Sequence, residues 1–291
     1  MSTVSDSDAV RAVVGGDARG PLVYRQTLIT RITHWVWAAC LFFLLLSGLQ
    51  IFNAHPHLYI GQESGFEYDN AVLRIYGAPD ATGQPRGYTR IFGADIDTTG
   101  LGLGLSRENG QLQYRGFPPA LTIPSSHDLA TGRVVHFFFA WLFVATLFVW
   151  FLASVVSGHL LRDVVPKGAD VRALPRDIAD HARFRLHHGR SYGALQKLAY
   201  SVVFFILFPL IVLTGITMSP GMDAAWPWLL DLFGGRQTAR TIHFGTMVLL
   251  VLFFIIHVVM VVLAGPFNEL RSMITGWYRA SPDTTRQARD R

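Results

Sequence analysis

The chain of 291 residues is 51% apolar, carries charge on 15% of its positions and has a mean hydropathy of +0.32. Soluble domains usually hold about 25% charged residues, so an ordinary soluble enzyme is excluded. The single cysteine, Cys40, excludes an intramolecular disulfide and a cysteine-ligated metal centre within the chain. A net charge of +5 and a pI of about 9.6 do not argue for nucleic acid, because the basic residues flank apolar stretches.

Residues 1–31 are polar and mixed in charge, without the short basic n-region of a cleaved signal. They are expected to form a cytoplasmic tail, with the first apolar stretch acting as an uncleaved anchor. Four stretches are nearly free of charge, 32–52, 134–158, 198–218 and 242–264, with 21, 25, 21 and 23 residues. About 20 apolar residues span the hydrocarbon layer as a helix. The expected fold is therefore an all-α membrane protein, a four-transmembrane-helix bundle over 32–264 with a long periplasmic loop between helices 1 and 2.

That loop, 53–133, is too long for a simple connection. Over 53–132 it holds eight Asp/Glu against five Arg, with Gly and Pro punctuation. Tracts 88–91 and 111–117 read as short strands. A solvated decoration would suit the composition, but ordered long loops usually carry function, which favours a docking surface. The run Gly100-Leu101-Gly102-Leu103-Gly104 lacks the strand, helix and acidic residue of a dinucleotide fingerprint and is rejected as one.

Orientation follows the basic residues of the short connections. The loop 159–196 carries Arg162, Lys167, Arg172, Arg176, Arg183, Arg185 and Arg190, whereas 219–241 carries only Arg236 and Arg240. The former is thus cytoplasmic, together with both termini. The tail 265–291, with Arg271, Arg279, Arg286, Arg289 and Arg291, agrees.

Of eleven histidines, four lie at informative depths: His34 in span one, His136 in span two, His243 and His257 in span four. Ionisable groups in a bilayer are costly and point to function, although one alone can simply bond a neighbouring helix. His243 and His257 are 14 residues apart, nearly four helical turns, so they share a face and are separated by about 21 Å. With the spans alternating in direction, depth pairs His136 with His243 on the outer side and His34 with His257 on the inner. Paired imidazoles suit a low-spin haem iron, and the absence of a C-x-x-C-H motif makes the groups b-type. His159, at the cytoplasmic end of span two, competes as an inner ligand or as a quinone contact. His55, His57, His127, His181, His187 and His188 read as solvent-facing.

Arg31, Arg133 and Arg240 each precede a candidate ligand by three residues, on the same helix face. They suit haem propionates, the other reading being ordinary charge at a helix end. Leu45-Leu46-Ser47-Gly48 resembles Leu213-Thr214-Gly215, and Gly48 and Gly215 could leave room for a porphyrin face or for close helix packing. Trp35, His159, Asn268 and Glu269 lie where a quinone near the inner haem would be met.

Together, Arg31-x-x-His34-Trp35, the Leu-x-x-Ser/Thr-Gly span ends, His136 and the pair His243/His257 resemble the cytochrome b561/nickel-hydrogenase cytochrome b superfamily, which includes the formate dehydrogenase gamma subunit. The resemblance covers residues 24–280. It implies two b haems held by these histidines and a bacterial inner-membrane subunit. It also implies electron exchange between a periplasmic oxidoreductase, often containing molybdenum (as molybdopterin) or nickel, and the membrane quinone. Two departures are a missing fifth span and the long outer loop. The alternative is a stand-alone quinone-linked b561-type oxidoreductase, such as a superoxide oxidase, which needs no docking loop. A haem-free transporter fits four spans poorly.

Overall fold

The structure, a computed structural model, describes residues 21–65, 67–182 and 193–279. The chain is mostly helical. Strand β1 (Leu22–Tyr24) leads into α1 (Leu28–Asn53), where the Thr27 hydroxyl accepts the Thr30 N–H at 3.3 Å and caps the helix. Strands β2 (His57–Tyr59), β3 (Ala71–Pro79), β4 (Pro85–Ile91) and β5 (Ala94–Asp97) form an antiparallel sheet in chain order. A hairpin of β6 (Ser106–Glu108) and β7 (Gln111–Gln113) follows. Helix α2 (Leu129–Val156) starts at Asp128, whose carboxylate accepts the Thr131 N–H at 3.1 Å.

After a π-helical turn, Leu160–Val164, come α3 (Gly168–Ala182), α4 (Ala194–Val202), a second π-helical turn, Val203–Leu207, and α5 (Phe208–Thr217). The second turn stands just before Pro209. Proline offers no N–H and its ring crowds the carbonyl four residues back, and a wider turn relieves both. Short α6 (Pro220–Ala225) and α7 (Trp228–Leu232) lead to the long α8 (Arg236–Ala264), and then to α9 (Pro266–Thr275) and β8 (Trp277–Arg279). Among the described residues four helices are long and apolar enough to cross a membrane: 28–53, 129–156, 194–217 and 236–264.

One expectation is corrected. The chain is not all-α: tracts such as Val72-Leu73-Arg74-Ile75-Tyr76, rich in β-branched and aromatic residues, pair into a sheet between α1 and α2. The flanks of the bundle are also structured, since β1 pairs antiparallel with β8 and joins the start of α1 to the end of α9. Gly265, at φ 103, ends α8 in a conformation open to glycine, and Pro266 restarts the chain as α9. Residues 1–20 of the expected tail lie outside the described residues, as do Arg183, Arg185, His187, His188 and Arg190 of the basic loop and Arg286, Arg289 and Arg291.

The glycine run serves the sheet. Gly77 and Gly87 face each other across β3 and β4, and the chain at Leu103–Leu105 crosses close above them. A methyl group on Gly87 would stand 2.1 Å from the Leu103 carbonyl oxygen, and one on Gly104 2.2 Å from that of Tyr76. Only glycine permits backbones to approach this closely.

The helices form two antiparallel hairpins. α1 lies along α2, and α5 along α8. They meet in an aromatic layer: Trp150 stacks on Phe204 (4.4 Å between centroids), and Phe143 and Trp37 edge onto Phe208 (5.0 and 6.2 Å). α8 is the least buried of the four spans, and its backbone stands back from α1 and α2.

The sheet unit is fastened at two points. On α8, the Thr241 hydroxyl donates to the Tyr59 carbonyl (2.6 Å) and the Gly61 N–H to Thr238 Oγ1 (2.7 Å), while Phe52, Leu58 and Ile75 bury beside Phe244. On α1, Arg115 is enclosed. Its guanidinium donates to Glu108 (2.8 Å), the Ser125 carbonyl, Gln50 Oε1 and Thr122 Oγ1 (each 3.1 Å). Removing one partner of a buried, bonded charge is costly. Arg115→Met is therefore expected to destabilise this unit by about 3 kcal/mol and to open residues 106–126 to proteolysis. A native digestion pattern in the variant would contradict this.

Candidate functional site

The four span histidines come together in two pairs, matched as depth predicted. The His136 and His243 rings lie 6.5 Å apart, centroid to centroid and tilted by 59°; His34 and His257 lie 6.3 Å apart at 57°. Each pair spans the gap between hairpins, with α8 supplying one ring to both. The ring facing His257 is that of His34, while His159 sits half-buried beyond the end of α2.

The His136/His243 pair is braced. His136 Nδ1 is 3.1 Å from Ser47 Oγ, and His243 Nδ1 is 3.1 Å from Thr214 Oγ1. Each hydroxyl spends its proton on its own helix, Ser47 on the Phe43 carbonyl (2.5 Å) and Thr214 on the Leu210 carbonyl (2.6 Å). The only proton left for the bond is the imidazole's, so Nδ1 donates and Nε2 keeps its lone pair on the opposite edge of the ring.

Gly48 and Gly215 sit beneath these rings. An added methyl would stand 3.3 Å from His136 Cε1 and 3.4 Å from His243 Cε1. Each glycine thus lets an imidazole lie against its helix. Sequence reasoning missed the two hydroxyls as partners, although the repeated Leu-x-x-Ser/Thr-Gly carried their signal. The His34/His257 pair lacks such bracing at His34, whose buried Nδ1 has no hydrogen-bond partner among the described residues.

The arginines diverge. Arg31 donates Nη2 to the Ile274 carbonyl (2.6 Å), and its buried Nε has no partner among the described residues. Arg240 donates to the His55 carbonyl (2.5 Å) and lies 5.6 Å over the Phe52 ring. Arg133 is exposed, 5.6 Å over Phe137. Trp35 edges onto His34 at 5.3 Å and donates Nε1 to the Met273 carbonyl (3.1 Å). Arg31, Ile32, Trp35, Val36, Met273 and Ile274 line an open groove of about 440 Å³ beside it. Asn268 and Glu269 do not line this groove: Asn268 brackets the Arg279 backbone (2.9 and 3.0 Å), and Glu269 pairs with Arg25 at 3.8 Å.

Beside Arg240 lies a cluster that sequence reasoning had left to solvent. His55 Nε2 and His57 Nδ1 both meet the buried Tyr59 hydroxyl, at 3.0 and 3.2 Å. Burial, then His55, Arg74 and Arg240, bring the His57 imidazole down to about 4.

The donor set fits haem. Two facing imidazoles, 6.3 and 6.5 Å apart between ring centroids, are the donor pair that would hold a haem iron from both sides. Among the described residues no cluster of three or more His, Cys, Asp or Glu offers the closed shell of a bare metal ion.

The family model described as prokaryotic cytochrome b561 matches residues 25–276. A relative from Azospira oryzae, provisionally named protein-methionine-sulfoxide reductase subunit YedZ1, is 26% identical over 248 residues, covering 84% of this chain and 93% of the relative.

Adding a methyl at Gly48 forces the His136 ring to shift by a few tenths of an ångström, whereas the 3.4 Å at Gly215 is nearly ordinary contact. Gly48→Ala is therefore expected to lower b-type absorbance more than Gly215→Ala, and equal effects would contradict the asymmetry. His57 supplies a second expectation. The folded imidazole stays neutral down to about pH 4, while an unfolded one takes up a proton near 6.5. Attachment of β2 should thus weaken as pH falls from about 6.5 to about 4, and no further below that. Hydrogen exchange of β2 relative to β4 reads this, and His57→Phe should flatten the profile.

Proposed function

The chain belongs to the prokaryotic cytochrome b561 family, a multi-pass membrane haem protein of electron transfer, and from that premise we propose a di-haem subunit linking a periplasmic oxidoreductase to membrane quinone. In this reading His136 and His243 hold the outer haem b, and His34 and His257 the inner one. The carrying observation is the two facing imidazole pairs sharing α8. Haem supplies reversible one-electron chemistry, and two are needed because the bilayer is too thick for one short transfer.

The residues' own work is to bind, orient and exclude. Ser47 and Thr214 fix the outer rings. The aromatic layer of Trp37, Phe143, Trp150, Phe204 and Phe208 fills the middle of the bundle and keeps water out of it. Arg31, Arg133 and Arg240, at the membrane ends of their helices, are the proposed partners of haem propionates, with N–H groups remaining beyond those already bonded to carbonyls.

The basic connection 159–196 supports cytoplasmic termini and an inner-membrane location with the sheet unit on the periplasmic face. That unit, ordered and fastened to α8 beside His243, is the proposed docking surface for the oxidoreductase. The relative's description names a methionine-sulfoxide reductase, which makes a partner of that class a candidate here, molybdopterin-containing by the family resemblance. Quinone would enter from the lipid at the groove of Arg31, Ile32, Trp35 and Ile274, whose Ile32 and Ile274 are exposed, rather than at Asn268 and Glu269.

Purified protein should show a b-type reduced-minus-oxidised spectrum with two haems per chain. His243→Ala and His257→Ala should each remove one. Retention of both haems in either variant would overturn the shared-helix assignment. Co-purification of a metal-containing soluble subunit supports the docking role, whereas turnover of the single chain with quinone and superoxide would favour a stand-alone oxidase.

A further inference from the structure

The two outer rings and the two inner rings are held by different chemistry, and that difference bears on redox potential. At the outer pair both Nδ1 atoms face hydroxyl oxygens whose own protons are committed to carbonyls one turn back, with the Leu44 and Ile211 backbone carbonyls as further acceptors, so each Nδ1 donates. At the inner pair the buried His34 Nδ1 has no acceptor among the described residues, and His257 instead lies stacked under Phe253 at 5.9 Å. A hydrogen bond from Nδ1–H draws the proton away from the ring and raises the basicity of Nε2. A more basic ligand favours the oxidised, more positive iron and so lowers its potential. In the low dielectric of the bundle the effect is strengthened.

We propose that Ser47 and Thr214 are positioning residues that hold His136 and His243 with Nε2 inward and give the outer site the lower midpoint potential of the two. This rests on the di-haem reading above. The hydroxyls are placed for it by the helices themselves: each follows a carbonyl four residues earlier, and each is succeeded by a glycine that lets the imidazole lie against the helix. The same device occurs once in each hairpin, so the two ligands of one site are tuned alike.

The test is a redox titration of the full chain in detergent, followed at the b-type absorbance band and by low-temperature electron paramagnetic resonance. His136→Ala first identifies the outer component as the one that disappears. Should no haem be lost there, the di-haem reading fails, independently of the present inference. In Ser47→Ala and Thr214→Val the outer component is expected to shift upward in potential and its low-spin ferric signal to move, with haem content native and the inner component unchanged. Ser47→Thr, which keeps the hydroxyl, should restore the native potential. An unmoved outer potential at full haem content overturns the proposal, as does finding the outer component to be the higher of the two. If alanine costs the haem itself, Ser47→Cys, similar in size but a poorer acceptor, decides: an upward shift supports the proposal and a native potential overturns it.

Discussion

A polar group inside a bilayer has no water to turn to, and the rest of the structure depends on how that constraint is met at four imidazoles. Two are met by hydroxyls that have already satisfied their own donors on the helix backbone. Serine and threonine within a helix commonly bond back to the preceding turn, and here this habit leaves each oxygen with acceptor capacity and nothing to give. The imidazole proton is the only donor available. Ring orientation and tautomer are thus set by the residues of the span.

The bundle is arranged around the same need. Were α8 packed against α1 and α2 as tightly as α1 is against α2, its histidines would meet aliphatic side chains and no group could enter between the rings. Instead the hairpins touch through an aromatic layer, and α8 stands back from α1 and α2. Large aromatic side chains suit this role because they reach across a gap that branched aliphatics could not fill, at ring separations of 4.4 to 6.2 Å.

What was legible in the sequence was whatever helical geometry fixes locally. The 14-residue interval between His243 and His257 dictates a shared face on any α-helix, and alternating spans then dictate partners, so both pairs could be read before any coordinates. What was not legible depends on contacts between distant segments. Ser47 reaches His136 across 89 positions and Thr214 reaches His243 across 29, and only the repeated Ser/Thr-Gly hinted at it. The sheet was half seen: 88–91 falls within β4 and 111–113 forms β7, yet β3 (Ala71–Pro79), the longest strand, was hidden by its glycine and proline. Equally illegible were the partners of Asn268 and Glu269. Their side chains were claimed by the return of the chain through α9 to β8, which pairs with a strand more than 250 residues earlier.

The attachment of the sheet to α8 gives the architecture its direction. Thr238, Arg240 and Thr241 lie on the first turns of the helix and bond the backbone of Gly61, His55 and Tyr59, while His243 follows half a turn later. A protein held by the sheet unit would therefore be held by the same helix that carries one ring of each pair. The distance from such a partner to the outer rings would be set by a few backbone hydrogen bonds. Electron transfer falls steeply with distance, so a short and stiff mount is worth more than a large one. On the proposed docking role, that requirement would account for a connection folded as a sheet and pinned to α1 through Arg115 and Gln50 and to α8 through the threonines. A flexible loop of the same length would reach a partner as easily but would leave the separation undefined.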